Sequence, residues 1–330
     1  MKTGDQGERD FLKSISHMVN RISGSKLGFD DDASDIPLSD GNHLVINVDT
    51  FVRETDWLPD MTPAQVGRKT AVMTLSDIVA KGATPTATML SLCVPSDYES
   101  EDAQEIVRGF SQYCMKADIP FIGGDLGLSS DVVLTGVALG VAPPEDIITR
   151  GGAQAGDTIA VTGKFGLTSV AFEILLRGRE ADDTLRNRAI KAAYKPQIIY
   201  DFIPALARKG AITSSMDSSD GLGITLHTMA SLSGMGFVVE KLPDASGVES
   251  FSRNNLLNTM KMVMQGGEEF ILVVTIPNEK WDTALEIAQE REVLLHEIGT
   301  VQKGEGVVYE SSEGHVEIPS DGYDTFREWN

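Results

Sequence analysis

Two apolar, β-branched runs in the first half of the chain each carry an aspartate at their end, one at residues 43–50 and the other at 118–125. Such runs predict buried strands, which here deliver Asp49 and Asp125. Between them, apolar and small residues recur every three or four positions, as in a helix. The predicted elements alternate between strand and helix and close with a buried strand: 43–50, 62–81, 86–94, 99–116, 118–125 and 131–142. This order predicts an α+β domain.

A proline pair, Pro143-Pro144, then interrupts the chain before it starts again at Arg150. We therefore expect two domains, 1–145 and 146–330, which agrees with a length of 330 residues at roughly 150 per domain. The second half is again predicted to be α+β. Its predicted strands are 157–162, 212–216, 237–240, 269–276, 294–301 and 306–309, and its predicted helices are 166–176, 221–233, 278–290 and polar segments between 182 and 209.

The chain is strongly acidic, because 28 Lys+Arg against 49 Asp+Glu give a formal net charge of −21. A field of this sign repels nucleic acid and anionic membranes, so neither is expected as a partner, and a phosphate ligand would need mediating cations. No stretch approaches the ~20 apolar residues of a membrane helix, and the first residues lack an apolar signal segment. We therefore expect a cytoplasmic protein. Cys93 and Cys114 are interpreted as two buried thiols.

Aspartates concentrate at strand ends and in glycine turns. They are Asp30, Asp31, Asp32, Asp49, Asp77, Asp125, Asp217 and Asp220. Any one of them alone is readily explained as a helix cap or a turn residue. Together, carboxylates converging on one cleft would repel each other unless divalent cations lay between them. Hard oxygen ligands favour Mg²⁺ or Mn²⁺ over zinc.

Several motifs of common enzymes are missing from the sequence. It contains no G-x-x-x-x-G-K-[ST] phosphate loop, no G-x-G-x-x-G, no H-E-x-x-H and no G-x-S-x-G. The standard nucleotide-binding folds are therefore excluded. The five histidines form no ligand spacing and are interpreted as structural or surface residues.

Nine short elements, in order along nearly the whole chain, resemble the thiamine-monophosphate kinase family. They are Asp31-Asp32-Ala33-Ser34, Val48-Asp49-Thr50, Ser76-Asp77-Ile78, Gly123-Gly124-Asp125, the run 150–157, Val161-Thr162-Gly163, the run 216–222, Gly266-Gly267-Glu268 and Gly322-Tyr323-Asp324. The wider superfamily includes aminoimidazole ribonucleotide synthetase, selenophosphate synthetase and a hydrogenase maturation factor. The resemblance implies a two-domain α+β fold like that of aminoimidazole ribonucleotide synthetase. Its N-terminal domain is a ferredoxin-like α/β sheet that dimerises, and its C-terminal α+β domain completes the nucleotide and substrate site.

The resemblance also implies that ATP binds between the domains through several Mg²⁺ ions. The family's metal positions fall on Asp32, Asp49, Asp77, Asp125, Asp217 and Asp220. Its ATP positions fall on Gly124, Asp125, Arg150 and Ser219. A substrate position falls on Glu268, and we add Asp56 and Tyr323 as substrate candidates, although many members have a histidine-aromatic pair where Asp56-Trp57 stands. We assign catalysis to Asp217, Arg150 and Asp125.

The residues agree physically with this assignment. Phosphoryl transfer is mostly positioning and charge neutralisation, and Arg150 offers a bidentate donor. A phosphate acceptor is already ionised near neutral pH, its second pKa being ~6, so no general base is required. We therefore expect thiamine monophosphate to accept a phosphoryl group from ATP by direct in-line transfer.

Two alternatives remain open. The first is another ATP-dependent enzyme of the superfamily with a different acceptor. Selenophosphate synthetase and the hydrogenase factor are disfavoured, since residues 1–49 and the final Arg327-Glu328-Trp329-Asn330 contain no cysteine. The second is a regulatory dimer that binds Mg²⁺-ATP without catalysis, and turnover separates it from a kinase.

Overall fold

The computed structural model describes residues 3–311, 314–320 and 322. In the first half, five strands form one sheet. They are β1 (Ser34–Pro37), β2 (His43–Val52), β3 (Thr84–Val94), β4 (Phe121–Leu128) and β5 (Val133–Ala142). Their order is β1-β2-β5-β3-β4, with β3 and β4 parallel and the other neighbours antiparallel.

Two long helices cover one face of this sheet. The helices of this half are α1 (Thr3–Gln6), α2 (Glu8–Ile15), α3 (Arg53–Asp56), α4 (Pro63–Ala80) and α5 (Ser100–Lys116), with a 3₁₀ turn at Ser16–Met18. A capping box fixes the start of α4, because Thr62 and Gln65 exchange side-chain-to-backbone hydrogen bonds. The helices α4 and α5 touch through glycine, since a Cβ on Gly67 would lie 1.8 Å from the carbonyl oxygen of Ile106.

The opposite face of the sheet is not covered by any described residue of the chain. Val48 on β2 is 59% exposed and Met89 on β3 is 37% exposed, and both pair with Val137 of β5. The helix-facing positions Val45 and Phe51 of β2 are fully buried. One face of the sheet is therefore core, and the other is apolar and open.

Seven strands form the second sheet. They are β6 (Thr158–Val161), β7 (Ser214–Ser218), β8 (Gly236–Val239), β9 (Ile271–Ile276), β10 (His296–Gln302), β11 (Val307–Ser311) and β12 (Gly314–Glu317), in the order β12-β11-β8-β10-β6-β9-β7. The helices are α6 (Leu167–Arg177), α7 (Asp183–Tyr194), α8 (Phe202–Arg208), α9 (Leu222–Ser233), α10 (Val248–Asn254), α11 (Thr259–Met264) and α12 (Trp281–Glu290), preceded by a 3₁₀ turn at Asn278–Lys280.

Both faces of the second sheet are buried at β6, β7, β8 and β9, whereas the edge strand β12 is exposed. On β9, Leu272 and Val274 belong to an apolar cluster with α8 and α12, whereas Val273 belongs to the larger cluster that contains α6 and α9. Helix α4 contributes to both clusters, since Leu75 lies in the larger one and Val79 in the one built around α8. The two halves of the chain are thus joined by apolar packing in both clusters.

The predicted α+β class with two sheets is confirmed. We propose residues 145 and 146 as the domain division, because they fall between β5 and β6. The short strands β1 and β12 and the helices α1, α2, α3, α10 and α11 were not predicted, and all of them except α2 are too short to show a period. Within the described residues, no helix is long and apolar enough to cross a membrane.

Several predicted strand ends were wrong, among them those of β2, β4 and β7, the last of which runs to Ser218 and so contains Asp217. β2 runs on to Val52, so Asp49 lies inside the strand. β4 begins at Phe121, because Asp118 adopts a positive φ of 54° and Pro120 has no N–H for a strand ladder. Asp125 is therefore also inside its strand.

Candidate active site

A cleft of about 1430 Å³ lies between the two halves of the chain. The first half contributes Asp49 from β2 and Asp77 from α4 to its wall. The second half contributes Asp217 from β7 and Glu268 from the segment before β9. Carboxylates that are far apart in sequence thus face a common space.

Three carboxylates come closest together in this cleft. Asp32, Asp77 and Asp217 each offer an oxygen, and these oxygens lie within 4.8 Å of one another. Asp77 is held by Asn47, whose Nδ2 donates to its Oδ2 at 2.8 Å. Asp217 is held by Ser76, whose hydroxyl donates to its Oδ2 at 2.6 Å.

Burial and mutual repulsion raise the pKa values of the acidic side chains around this trio. Burial raises the pKa of Asp77 well above its ordinary value, and the neighbouring Asp217 and Asp49 raise it further. Burial likewise raises the pKa of Asp49 to about 7 and that of Asp220 to about 6, with Asp217 adding to both. The cleft therefore holds more negative charge than it can carry at neutral pH without cations.

Arg150 fastens the acidic turn at residues 30–32 to the start of the second domain. Its backbone N–H donates to Oδ1 of Asp31 at 2.8 Å, and its Nη1 donates to the carbonyl oxygen of Asp30 at 3.0 Å. Its Nη2 forms an ion pair with Asp32. Burial lowers the pKa of Arg150, with the nearby acids opposing this effect. Arg150 lines the cleft, so its guanidinium would reach an anionic ligand there on turning away from Asp32.

Two of the predicted substrate residues, Asp56 and Glu268, line the cleft beside one another. Glu268 adopts a positive φ of 62° and forms an ion pair with Lys69, whose side chain is fully buried. Nζ of Lys69 also donates to the carbonyl oxygen of Asp56 at 3.3 Å and lies 5.7 Å from the ring centre of Phe51. Oδ2 of Asp56 accepts from the N–H of Val52 at 2.7 Å. Two carboxylates thus line this part of the cleft, with one buried ammonium beside them.

Most of the predicted site residues line this one cleft. They are Asp32, Asp49, Asp56, Asp77, Arg150, Asp217, Ser219, Asp220 and Glu268. Tyr323 lies outside the described residues. The cleft is not lined by Gly124 or Asp125, as far as the described chain goes.

The sheet register explains why Asp125 lies apart. Asp125 pairs with Ser91, Ser91 with Thr135, and Thr135 with Thr50, whose hydroxyl lies 3.1 Å from that of Thr135. This row projects from the open face of the sheet. Asp49 instead pairs with Gly136, where a Cβ would lie 2.0 Å from Oγ1 of Thr74 on α4. The prediction that Asp125 joins the other aspartates is therefore not met within a single chain.

Two buried lysines beside the cleft were not predicted as site residues. Lys81, just after α4, lies 3.1 Å from both Asp31 and Asp32, and Lys69 holds Glu268. For Lys69 the available signal was its place on the apolar side of a helix pattern, whereas Lys81 gave no such signal.

The donor set fits a hard divalent cation. Oδ2 of Asp32 is buried and accepts no hydrogen bond from any described residue, although Nζ of Lys81 lies 3.1 Å away. A carboxylate oxygen that accepts no hydrogen bond, in a trio of carboxylates, is the ligand type that Mg²⁺ prefers, whereas zinc favours nitrogen and sulfur. We conclude that Asp32, Asp77 and Asp217 suit Mg²⁺.

Family models match both halves of the chain. The one described as AIR synthase related protein, N-terminal domain, matches residues 30–142, and its C-terminal counterpart matches 154–310. The chain thus belongs to the AIR synthase related proteins.

Individual relatives identify the family within this class. The chain is 33% identical over 285 residues to thiamine-monophosphate kinase of Nitrosopumilus maritimus, covering 86% of this chain and 90% of that protein. It is 34% identical over 274 residues to the Synechococcus elongatus enzyme, covering 81% and 83%. The structure of AaThiL complexed with AMPPCP and TMP shares the fold, with a TM-score of 0.85, 23% identity and coverage of 98% and 99%. The chain belongs to the thiamine-monophosphate kinase family and is a kinase, which confirms the resemblance drawn from the sequence.

Proposed function

We propose that this protein transfers the γ-phosphoryl group of ATP to thiamine monophosphate, which yields thiamine diphosphate and ADP. The observation that carries the proposal is the trio of Asp32, Asp77 and Asp217, whose oxygens lie within 4.8 Å in a cleft large enough for two phosphorylated ligands. The names of the relatives and the AMPPCP and TMP held by the similar AaThiL structure support the choice of ligands.

In this proposal several Mg²⁺ ions are held by the aspartates of the cleft. Asp32, Asp77 and Asp217 form the central set, with Asp49 and Asp220 at its edge. Bound Mg²⁺ would neutralise the phosphate charges that these carboxylates would otherwise repel. The raised pKa values of Asp49 and Asp220 support a cleft that gains by taking up cations.

The chain's own residues position the reacting groups. Arg150 lines the cleft from the second domain and can donate two hydrogen bonds to phosphate oxygens. The acceptor phosphate is ionised at neutral pH, so the reaction needs no protein base. His227, which lines the cleft, is already committed through Nε2 to the carbonyl oxygen of Ile318 at 2.7 Å. These features support direct in-line transfer without a phosphoenzyme.

The acceptor's organic end is assigned to Glu268 and Asp56. A carboxylate complements a cationic thiazolium ring or a pyrimidine amine, and both carboxylates line the cleft beside one another. Lys69 holds both residues in place, Glu268 through an ion pair and Asp56 through a hydrogen bond to its backbone carbonyl oxygen.

We further infer that the protein is a homodimer whose open sheet faces pack together. The face is apolar at Val48 and Met89, and a second copy would remove these side chains from water. Val48 and Thr50 of this face also line the cleft, so the partner would border the site. Gly124 and Asp125 would then serve the site of the neighbouring copy rather than that of their own chain.

The direct test is conversion of the substrate. The protein is incubated with Mg²⁺-ATP and thiamine monophosphate, and thiamine diphosphate is sought by mass spectrometry. We expect one thiamine diphosphate for each ADP released. ADP and inorganic phosphate without thiamine diphosphate would point to a different acceptor in this superfamily, and ATP binding without turnover would point to a regulatory protein.

A further inference from the structure

A fully buried lysine stands beside the carboxylate trio. Lys81 caps the C-terminal end of α4, and its side chain has no exposed surface. Its Nζ donates to Oδ1 of Asp31 at 3.1 Å and to the carbonyl oxygen of Ser215 at 3.3 Å. The same nitrogen lies 3.1 Å from Oδ2 of Asp32. One ammonium group thus contacts the acidic turn and the strand that carries Asp217.

An ammonium group in this position is stable only because of its partners. Moving a lysine out of water without a counter-charge is strongly unfavourable, whereas an ion pair with well-placed carboxylates offsets much of that cost. In return, the ammonium nitrogen of Lys81 lies 3.1 Å from a carboxylate oxygen of Asp31 and 3.1 Å from one of Asp32. Lys81 therefore already performs part of the neutralisation that the acidic cleft requires.

Lys81 and Arg150 contribute to this charge neutralisation in different ways. Both are paired with the turn at Asp31 and Asp32. The side chain of Arg150 is 20% exposed and lines the cleft, whereas Lys81 is enclosed and does not line it. If Arg150 turns toward a phosphate group, Lys81 still holds both aspartates in place.

We propose that Lys81 is a resident cation that takes the place of one divalent ion at the Asp31–Asp32 side of the trio. It forms the acidic turn before any metal arrives and reduces by one the number of metal ions that the site binds. Lys81 is thus a positioning residue, acting through Asp31 and Asp32. This inference rests on the proposed Mg²⁺-dependent function of the cleft.

The test counts bound metal ions without turnover. Mn²⁺ bound per chain is measured by electron paramagnetic resonance, with a non-hydrolysable ATP analogue present, in the wild type and in Lys81→Met. Lys81→Gln keeps a hydrogen-bonding group without the charge. Lys69→Met is the matched control, because it removes another fully buried lysine that lies beside Glu268 rather than beside the trio. We expect one additional Mn²⁺ per chain in both Lys81 variants and no additional Mn²⁺ in Lys69→Met.

Thermal melting addresses the case in which a Lys81 variant fails to fold without metal. Without metal, the melting temperature of Lys81→Met should fall, and Mg²⁺ should restore it by a larger shift than in the wild type. A variant that folds when metal is added also supports the proposal. Unchanged Mn²⁺ number and affinity in the Lys81 variants overturn it, as does a variant that stays unfolded at every metal concentration.

The same experiment separates this inference from the proposed function. If Asp217→Asn loses Mn²⁺ binding but the Lys81 variants match the wild type, the metal site stands and the role of Lys81 is wrong. If the wild type itself binds no Mn²⁺, the proposed metal site is wrong and the role of Lys81 falls with it.

Discussion

The hydroxyl of Ser76 on α4 donates a 2.6 Å hydrogen bond to Oδ2 of Asp217 on β7, so that a residue of the first domain orients a carboxylate of the second. Both residues are buried, Asp217 being 3% exposed. The position of one candidate metal ligand is therefore set by how the two domains pack.

Removing this hydroxyl should cost stability and metal affinity together. A buried hydrogen bond to a charged group contributes about 1.5–3 kcal/mol, so we expect Ser76→Ala to lower the free energy of unfolding by that amount and to weaken Mg²⁺ binding. Denaturant titration and calorimetry measure the two effects. Ser215→Ala is the matched control, because its buried hydroxyl makes no hydrogen bond with any described residue. Equal losses in both variants would show that the Ser76 bond has no special role.

The metal-free protein should lose stability as the pH rises from 5 to 8. Burial raises the pKa of Asp49 to about 7 and that of Asp220 to about 6, whereas an unfolded chain titrates both near ~3.9. In that interval the folded state holds protons that the unfolded state has released, so each group lowers stability by at most about 1.4 kcal/mol per pH unit. Denaturant titrations at several pH values measure the slope, and Mg²⁺ or Asp49→Asn should flatten it. Stability that rises over this interval would contradict the expectation.

Mg²⁺ and nucleotide should stabilise the protein synergistically. Without Mg²⁺ the phosphates of ATP face the aspartates directly, and without phosphates Mg²⁺ lacks part of its octahedral shell. A ligand at about 100 times its Kd adds about 2.7 kcal/mol, so the pair should raise the melting temperature by more than the sum of the separate shifts.

Asp77→Asn and Asp217→Asn should remove most of this synergy. Each deletes a repelling charge, and in Asp217→Asn this gain offsets the weaker hydrogen bond from Ser76, so the metal-free variants should be as stable as the wild type or more stable. Thermal melts with Mg²⁺, a non-hydrolysable ATP analogue, both and neither provide the comparison. Variants that lose metal-free stability and keep the whole ligand shift would identify these aspartates as structural caps.

Arg150→Ala should slow turnover by about 10²-fold or more, since a donor to developing phosphate charge is lost. Steady-state kinetics with thiamine monophosphate measure kcat. Arg108→Ala serves as the control, because Arg108 forms an exposed pair with Glu105 on α5 and should leave the rate unchanged. A normal rate in Arg150→Ala would mean that Arg150 only holds the turn at residues 30–32 in place.

Mixing two inactive variants tests whether Asp125 acts across a dimer. Asp125→Asn and Asp217→Asn should each be inactive alone. After co-refolding, each mixed dimer would contain one intact site if Asp125 serves the neighbouring copy, which restores about a quarter of wild-type activity. If Asp125 serves its own chain, every site in the mixture is defective and no activity returns.

Candidate site residues could be assigned from the sequence where their immediate neighbours in the chain set them apart. Asp77 and Asp217 stand in short apolar or small-residue segments, which is why they could be assigned to a metal site before the fold was known. The strand ends were harder, because Pro120 and the backbone of Asp118 shift β4 by three residues. Which face Asp125 occupies depends on that register, since neighbouring residues of a strand point to opposite sides.

Lys81 could not be assigned from the sequence. Its partners Asp31 and Asp32 lie about fifty residues earlier, and a lysine at the end of a helix ordinarily faces water. Its role arises only when α4 is packed between the acidic turn and β7.

Helix α4 carries residues of both apolar clusters, and this has a consequence for how the chain unfolds. A cut at the domain division would leave Val79 and Ala80 without α8, and would leave Ile203 and Leu206 of α8 without α4. Neither fragment retains a complete core. The two domains of the sequence should therefore melt in a single cooperative transition, with neither half persisting as a folded intermediate after the other is lost.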